Sequence, residues 1–177
     1  MTILTGILYP VLMTGIAQVA FPAKANGSFI LKDGKILGSE LIGQKFDSSA
    51  YFWSRPSAID YNPVPSGASN FGPTSAKLAS LVNQRRKTFI TGNNIQDTTS
   101  IPGEMIFASG SGLDPHTSPE AVLMQVKRIA RVRHFNNSQE QKMIELITQN
   151  TEKRQFKILG NERINILRLN IELDGIK

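Results

Sequence analysis

The residues best equipped for chemistry lie in one run, Ser109-Gly110-Ser111-Gly112-Leu113-Asp114-Pro115-His116-Thr117-Ser118-Pro119. It gathers hydroxyls, glycines and a titratable Asp–His pair just ahead of a helix start. Glycines permit positive φ and leave amides uncovered, so an anion or phosphate could sit on Ser109, Gly110, Ser111 and Gly112. Neither Gly-x4-Gly-Lys-Ser/Thr nor Gly-x-Gly-x-x-Gly occurs, however, and a purely structural tight loop is the plainer reading. Gln125 stands seven residues after the Ser118 cap, a spacing that returns it to the same helix face and toward the loop; a surface glutamine is the bland alternative. A hydrolase would use Ser109 or Ser111 as nucleophile, His116 as base and Asp114 as orienter. Residues this close in sequence rarely face one another within about 3 Å, the Gly-x-Ser-x-Gly elbow is absent, and Asp114-Pro115 reads as a turn. Two histidines and no cysteine leave little material for a zinc site.

The elements that must position this run begin with an apolar stretch. Ile3 to Phe21 contains no charged residue. At about 1.5 Å per residue it is barely long enough to cross a hydrocarbon core, and the reading is one membrane helix over residues 1–22. Pro10 does not veto it, because Thr5 and Thr14 can satisfy a freed carbonyl. A secretory signal peptide, with Ala23-Lys24-Ala25 as cleavage site, lacks a basic n-region; a buried core helix is the other alternative. Residues 23–177 then form one soluble domain of α+β class. The net charge of +6 and pI of about 9.7 are partly local, in Lys127, Arg128, Arg131 and Arg133. On a helix such a run reads as a solvated face.

Phe29 to Leu37 reads as a hairpin turning at Asp33-Gly34. Tyr51 to Ser75 interleaves Pro56, Pro63, Pro65 and Pro73 with aromatics, Arg55 and hydroxyls, an irregular segment long enough to be functional. Thr74 or Ser75 caps a helix through Leu78, Leu81, Val82 and Phe89 to near Gly92, followed by a polar linker over residues 91–100. Ile101 to Ala108 reads as extended. Ser118-Pro119-Glu120 opens a helix that buries Val122, Leu123, Val126, Ile129 and Ala130, and Ser138-x-x-Gln141 is a capping box for the next. Leu167, Leu169, Ile171 and Leu173 alternate with polar residues as in a half-buried strand.

Across nearly the whole chain the residues resemble a known family. The points of likeness include Leu4-Thr5-Gly6, Tyr9-Pro10, Gln18, Ala25-Asn26-Gly27-Ser28, Asp33-Gly34, Gly38-Ser39 and Leu41-Ile42-Gly43-Gln44. They continue through Tyr51-Phe52, Arg55-Pro56-Ser57-Ala58, Tyr61-Asn62, Ser69-Asn70, Gly72-Pro73-Thr74, Ser109 to Pro115, Ser118-Pro119, Gln125-Val126, Arg128, Asn165, Leu167 and Leu169-Asn170. The chain resembles the C subunit of the Kdp potassium-transporting ATPase, a bacterial multisubunit P-type pump. Relatives generally carry a basic residue and more apolar residues before the position of Met1, so this span is short or its start is missing.

The resemblance implies a non-catalytic accessory subunit of a high-affinity potassium uptake pump, one that assists assembly and raises the ATP affinity of the ATP-hydrolysing subunit. Its partners would be a channel-like potassium-binding subunit, that P-type ATPase subunit, a small membrane subunit and the membrane itself, with no nucleic acid. No tightly bound cofactor is implied, only ATP shared with the catalytic subunit. Nucleotide contact falls to Gln125 and the loop Ser109, Gly110, Ser111, Gly112; partner contact to Tyr51, Phe52, Arg55, Pro56, Tyr61, Asn62, Asn70 and Gly72. The resemblance also implies a single-pass protein of the bacterial inner membrane with its soluble domain in the periplasm. Lys24, Lys32 and Lys35 argue for the opposite side by the positive-inside rule, though long domains translocate regardless of charge. The alternatives are a direct nucleotide-binding subunit and a membrane-anchored serine hydrolase.

Overall fold

The computed structural model describes residues 1–32, 34–96 and 101–176. The turn residue Asp33 and the last part of the polar linker, 97–100, lie outside the described residues. The chain divides into two compact units, Met1–Ile42 and Gly43–Lys177.

In the first unit a π-helical turn, Leu4–Leu8, runs into helix α1 (Tyr9–Ala20), and a short helix α2 (Pro22–Ala25) follows. This corrects the expected membrane helix. No helix among the described residues is long and apolar enough to cross a membrane. Pro10 brings no N–H to an α-type bond with the carbonyl four residues back, so the ladder ahead of it loosens into the π-helical turn. At the other end Phe21 leaves helical geometry (φ −141°) immediately before Pro22. The 12 residues of α1 span about 18 Å, against a hydrocarbon core of about 30 Å. Gln18 and Asn26 exchange side-chain amide hydrogen bonds of 3.2 and 3.1 Å, which tie the end of α2 to α1. The expected hairpin is present as β1 (Phe29–Lys32) and β2 (Lys35–Ser39), antiparallel, with a bulge after Ile30 where the pairing moves from Ile30–Gly38 to Leu31–Ile36.

The second unit is mixed. Ser75 caps helix α3 (Ala76–Asn93), as its hydroxyl position predicts, and a 3-10 turn at Gly103–Met105 replaces the extended stretch expected there. A short strand β3 (His116–Thr117) pairs with β4 (Ile164–Asn165). Ser118 accepts from the Ala121 amide and Pro119 takes the first helical position of α4 (Pro119–Leu123). The helix does not run on unbroken. It restarts at Gln125 as α5 (Val126–Val132), and Leu123 is exposed rather than buried. Helix α6 (Asn137–Gln149) begins two residues ahead of the expected capping box. Asn136 and Gln139 make the reciprocal pair, because Asn136 is the extended residue whose side chain can reach the third amide.

The last element overturns a strand expectation. Ile166–Leu173 is helix α7, capped by Asn165, whose side chain accepts from the Arg168 amide. The apolar residues from 166 to 173 satisfy two periods at once. Ile166, Leu169, Asn170 and Leu173, all buried, sit at the helical spacing of three and four, and packing selects that period. With Phe52, Val122, Ile129, Met143, Ile147 and Ile164, the apolar residues Ile166, Leu169 and Leu173 form the core of the unit, while Phe89, Met105 and Ala121 form a smaller cluster beside Trp53.

Candidate functional site

The segment from Ser49 to Gly72 is ordered without belonging to a helix or strand, so its backbone groups must find partners elsewhere. Side chains of α5, α7 and their flanks supply them. Five successive carbonyls are capped: Ser49 and Tyr51 by Arg128, Ala50 by Arg133 (2.8 Å), Phe52 by Asn170 (3.0 Å) and Trp53 by Gln125 (3.5 Å). The amides of Phe52 and Trp53 donate back to Asn170 Oδ1 (2.9 Å) and Gln125 Oε1 (2.7 Å). Each of these two residues is therefore held at both ends by one side-chain amide, as a neighbouring strand would hold it.

Arg128 organises this clasp. Arg128 is 2% exposed, and its guanidinium pairs with no carboxylate among the described residues; Asn93 Oδ1 (2.9 Å), Gln125 Oε1 (2.8 Å) and the two carbonyls receive its protons, and its centre lies 4.1 Å from the Trp53 ring. Burial lowers its pKa, with help from the nearby Arg131, to about 10, so it stays charged at neutral pH. Gln125 is fully buried, with its amide committed to Trp53, Ala121 and Arg128. It takes no partner from the Ser-Gly loop.

That loop braces the next stretch. The Ser109 amide donates to Pro56 O (3.1 Å), the Gly67 amide to Ser111 O (3.1 Å) and the Gly43 amide to Leu113 O (2.7 Å). Gly112 is buried at φ +71°, where an added Cβ would lie 2.5 Å from Ile59 and 2.9 Å from the Gly67 carbonyl. Gly43 is equally committed, its Cβ position being 2.7 Å from Asp114 O. The glycines serve close chain approach. Ser109 is buried; Gly110 and Ser111 are exposed at the crest.

Asp114 ties the brace to Arg55 through a 2.6 Å ion pair and accepts from the His116 amide at 3.0 Å, with the His116 ring nitrogen 3.5 Å away. Burial alone would raise the Asp114 carboxyl, but hydrogen bonds from the His116 ring and backbone, and the Arg55 charge, hold it below its ordinary value. The Asp–His half of the hydrolase constellation is thus assembled, while among the described residues no contact joins His116 to Ser109 or Ser111. The Tyr61 hydroxyl donates to the Arg55 carbonyl, and burial pushes its pKa up to about 12, so it remains a neutral donor. Beside this stretch opens a cleft of about 370 Å³ walled by Trp53, Arg55, Tyr61, Arg85 and Phe89.

Residues 1–175 match the family model described as KdpC: K+-transporting ATPase, c chain. The chain belongs to that family. Among its relatives, each described as "Potassium-transporting ATPase KdpC subunit", the protein of Geobacter metallireducens is 47% identical and that of Methylococcus capsulatus 45%. Each alignment covers 99% of this chain and 92% of the relative. The protein of Dechloromonas aromatica is 44% identical over the same shares.

Within this member of the K+-transporting ATPase c chains, the residues named for partner contact divide by exposure. Asn62, Asn70 and Gly72 are exposed and Tyr51, Arg55, Pro56 and Tyr61 half-buried, whereas Phe52 is sealed in the core. The expected solvated face of Lys127, Arg128, Arg131 and Arg133 is corrected at Arg128, which is buried, and sequence reasoning gave no role to Asn170, Trp53 or Arg85. For Arg128 a signal existed: it follows Gln125 by three residues and adjoins Ile129, on the buried face, while Lys127 and Arg131 are exposed.

Proposed function

We propose that this chain is a non-catalytic accessory subunit of a potassium-transporting ATPase complex that takes up potassium, and that it meets its partner subunits through the Tyr51–Gly72 segment. One observation carries this reading: an irregular segment is held in a single shape by Arg128, Gln125, Asn170 and the Ser-Gly loop while Asn62, Asn70 and Gly72 face outward. A preformed loop of that kind binds without a large ordering cost. The cleft next to it, with Arg55 and Arg85 among aromatic rings, suits an acidic or aromatic side chain of a partner. The family membership supports the rest, namely that the partners are a channel-like potassium-binding subunit, an ATP-hydrolysing subunit and a small membrane subunit, and that docking raises the apparent ATP affinity of the hydrolysing subunit.

Of the nucleotide-contact candidates, Gly110 and Ser111 alone present an exposed surface, and Gln125 acts from inside by shaping the segment. The test is co-purification and ATPase kinetics of the reconstituted complex. Asn62→Asp with Asn70→Asp should lower recovery of the other subunits with the folded chain and raise KM for ATP, with Ser111→Ala close to the parent. Full recovery and unchanged KM in the asparagine pair, with KM raised by Ser111→Ala, would overturn this reading in favour of direct nucleotide contact.

A further inference from the structure

The second unit carries an arm that the clasp and the cleft do not use. Every residue from Glu152 to Arg163 is exposed, yet the arm is closed rather than loose. Glu152 and Arg163 exchange backbone hydrogen bonds of 2.8 and 3.2 Å at its base, where the Arg163 guanidinium also grips the Glu152 carboxylate at 2.8 Å. Nearer the tip, Gln155 and Leu159 exchange two more, both 2.9 Å. Phe156 (φ +52°) and Lys157 (φ +64°) turn the chain in the left-handed region, which residues other than glycine rarely occupy. The crest so formed presents Phe156, Ile158 and Leu159 at 87%, 80% and 58% exposure. Around it stand Lys153, Arg154 and Lys157, none with an ion-pair partner among the described residues.

We propose that this tip is an anchor for an anionic lipid surface, with Phe156, Ile158 and Leu159 entering the acyl boundary and Lys153, Arg154 and Lys157 meeting the headgroup phosphates. The charge pattern selects this occupant. An apolar crest ringed by unpaired cations matches the two layers of an anionic interface, apolar below and negative above, and long basic side chains can keep their charge at phosphate depth while their stems lie along the apolar layer. A protein partner fits less well, because lysine is depleted from the cores of protein interfaces and its ammonium would have to be desolvated there. The closed base matters too: a tip already folded has little freedom left to lose on docking.

The chain has no cysteine, so a single one at Ile158 can carry an environment-sensitive fluorophore on the full chain. That protein is reconstituted into vesicles of phosphatidylcholine alone and of an equal mixture of phosphatidylcholine and phosphatidylglycerol, with a matching label at exposed Gln141 on α6 as reference. The local label, rather than total binding, is read because α1 is itself apolar and exposed. The expected result is a blue shift, with quenching by shallow spin-labelled lipid, for the Ile158 label in the anionic vesicles and no change at Gln141. Each cation contributes about fivefold to the affinity, so K153Q/R154Q/K157Q should lower the equilibrium constant for tip insertion roughly a hundredfold and remove the blue shift, and added salt should weaken insertion as well. A label at Ile158 that stays wet in anionic vesicles overturns the proposal. So does one that becomes buried only when the other subunits of the ATPase are added, which would make the tip a protein contact.

Discussion

Two stretches of the second unit lack helix and strand, and they are ordered by opposite means. The Ser49–Gly72 segment is held by side chains that arrive from α5, α7 and their flanks and by backbone groups of the Ser-Gly loop, and it is built into the core at Phe52. Among the described residues the Glu152–Arg163 arm bonds only across its own backbone and base, and each of its residues is exposed. The comparison separates two properties that loops usually mix: a shape enforced by the rest of the fold, and a shape that merely closes on itself. Damage far away in sequence should reach the first and leave the second untouched.

The strongest way to break the comparison is at its hub. Arg128→Leu removes the donors for Asn93, Gln125, Ser49 and Tyr51, leaving buried acceptors unmet. It should cost about 3–5 kcal/mol of stability in chemical denaturation, and Arg128→Lys should recover little, because one ammonium cannot span the same acceptors. Next in size, Gly112→Val meets Ile59 and the Gly67 carbonyl in a left-handed backbone and should cost about 2–4 kcal/mol, with added protease sensitivity between residues 56 and 67. Asp114→Asn sharpens the comparison by pH. Because the Asp114 pKa is depressed on folding, its contribution is present at neutral pH and lost as pH falls through the folded value; the variant should be less stable at neutral pH and show a flatter acid limb in thermal melts from pH 7 to below pH 4. Gln139→Ala, which removes half of the α6 capping box, should cost about 0.5–1 kcal/mol by the same melts. Last comes Phe156→Ser on the arm, expected within about 0.5 kcal/mol of the parent; a loss above about 1 kcal/mol would end the claim that the arm stands alone.

Much of this was legible in the sequence and some was not, for physical reasons that differ by region. The caps at Ser75 and Ser118 and the hairpin strands on either side of Gly34 depend on neighbours in the chain, and they appear where local chemistry puts them. The strand expected near the end failed because its apolar pattern fits two periods, and contact with α6 and the core favours the helical one. The membrane helix failed because composition and length ignore where Pro10 and Phe21–Pro22 interrupt the ladder. At the site, the Ser-Gly run was conspicuous, and its use as a brace depends on Ile59 and Gly67, some fifty residues away. Gln125 and Arg128 carried the likeness to the family without revealing their role, since their partners at Trp53 and Ser49 are visible only once the chain is folded.

The two-point grip on Phe52 and Trp53 also sets an order of events during synthesis. Asn170 reaches Phe52 across 118 residues of sequence and Gln125 reaches Trp53 across 72. Connections of such separation close late and slowly, because the intervening chain must give up its freedom first. A nascent chain emerging from the ribosome can therefore fasten Ser49 to Tyr51 and Trp53 through Gln125, Arg128 and Arg133 well before Asn170 arrives to close the grip on Phe52. A chain cut short before α7 leaves the Phe52 amide and carbonyl, in the middle of the clasp, without the side chain that pairs both of them.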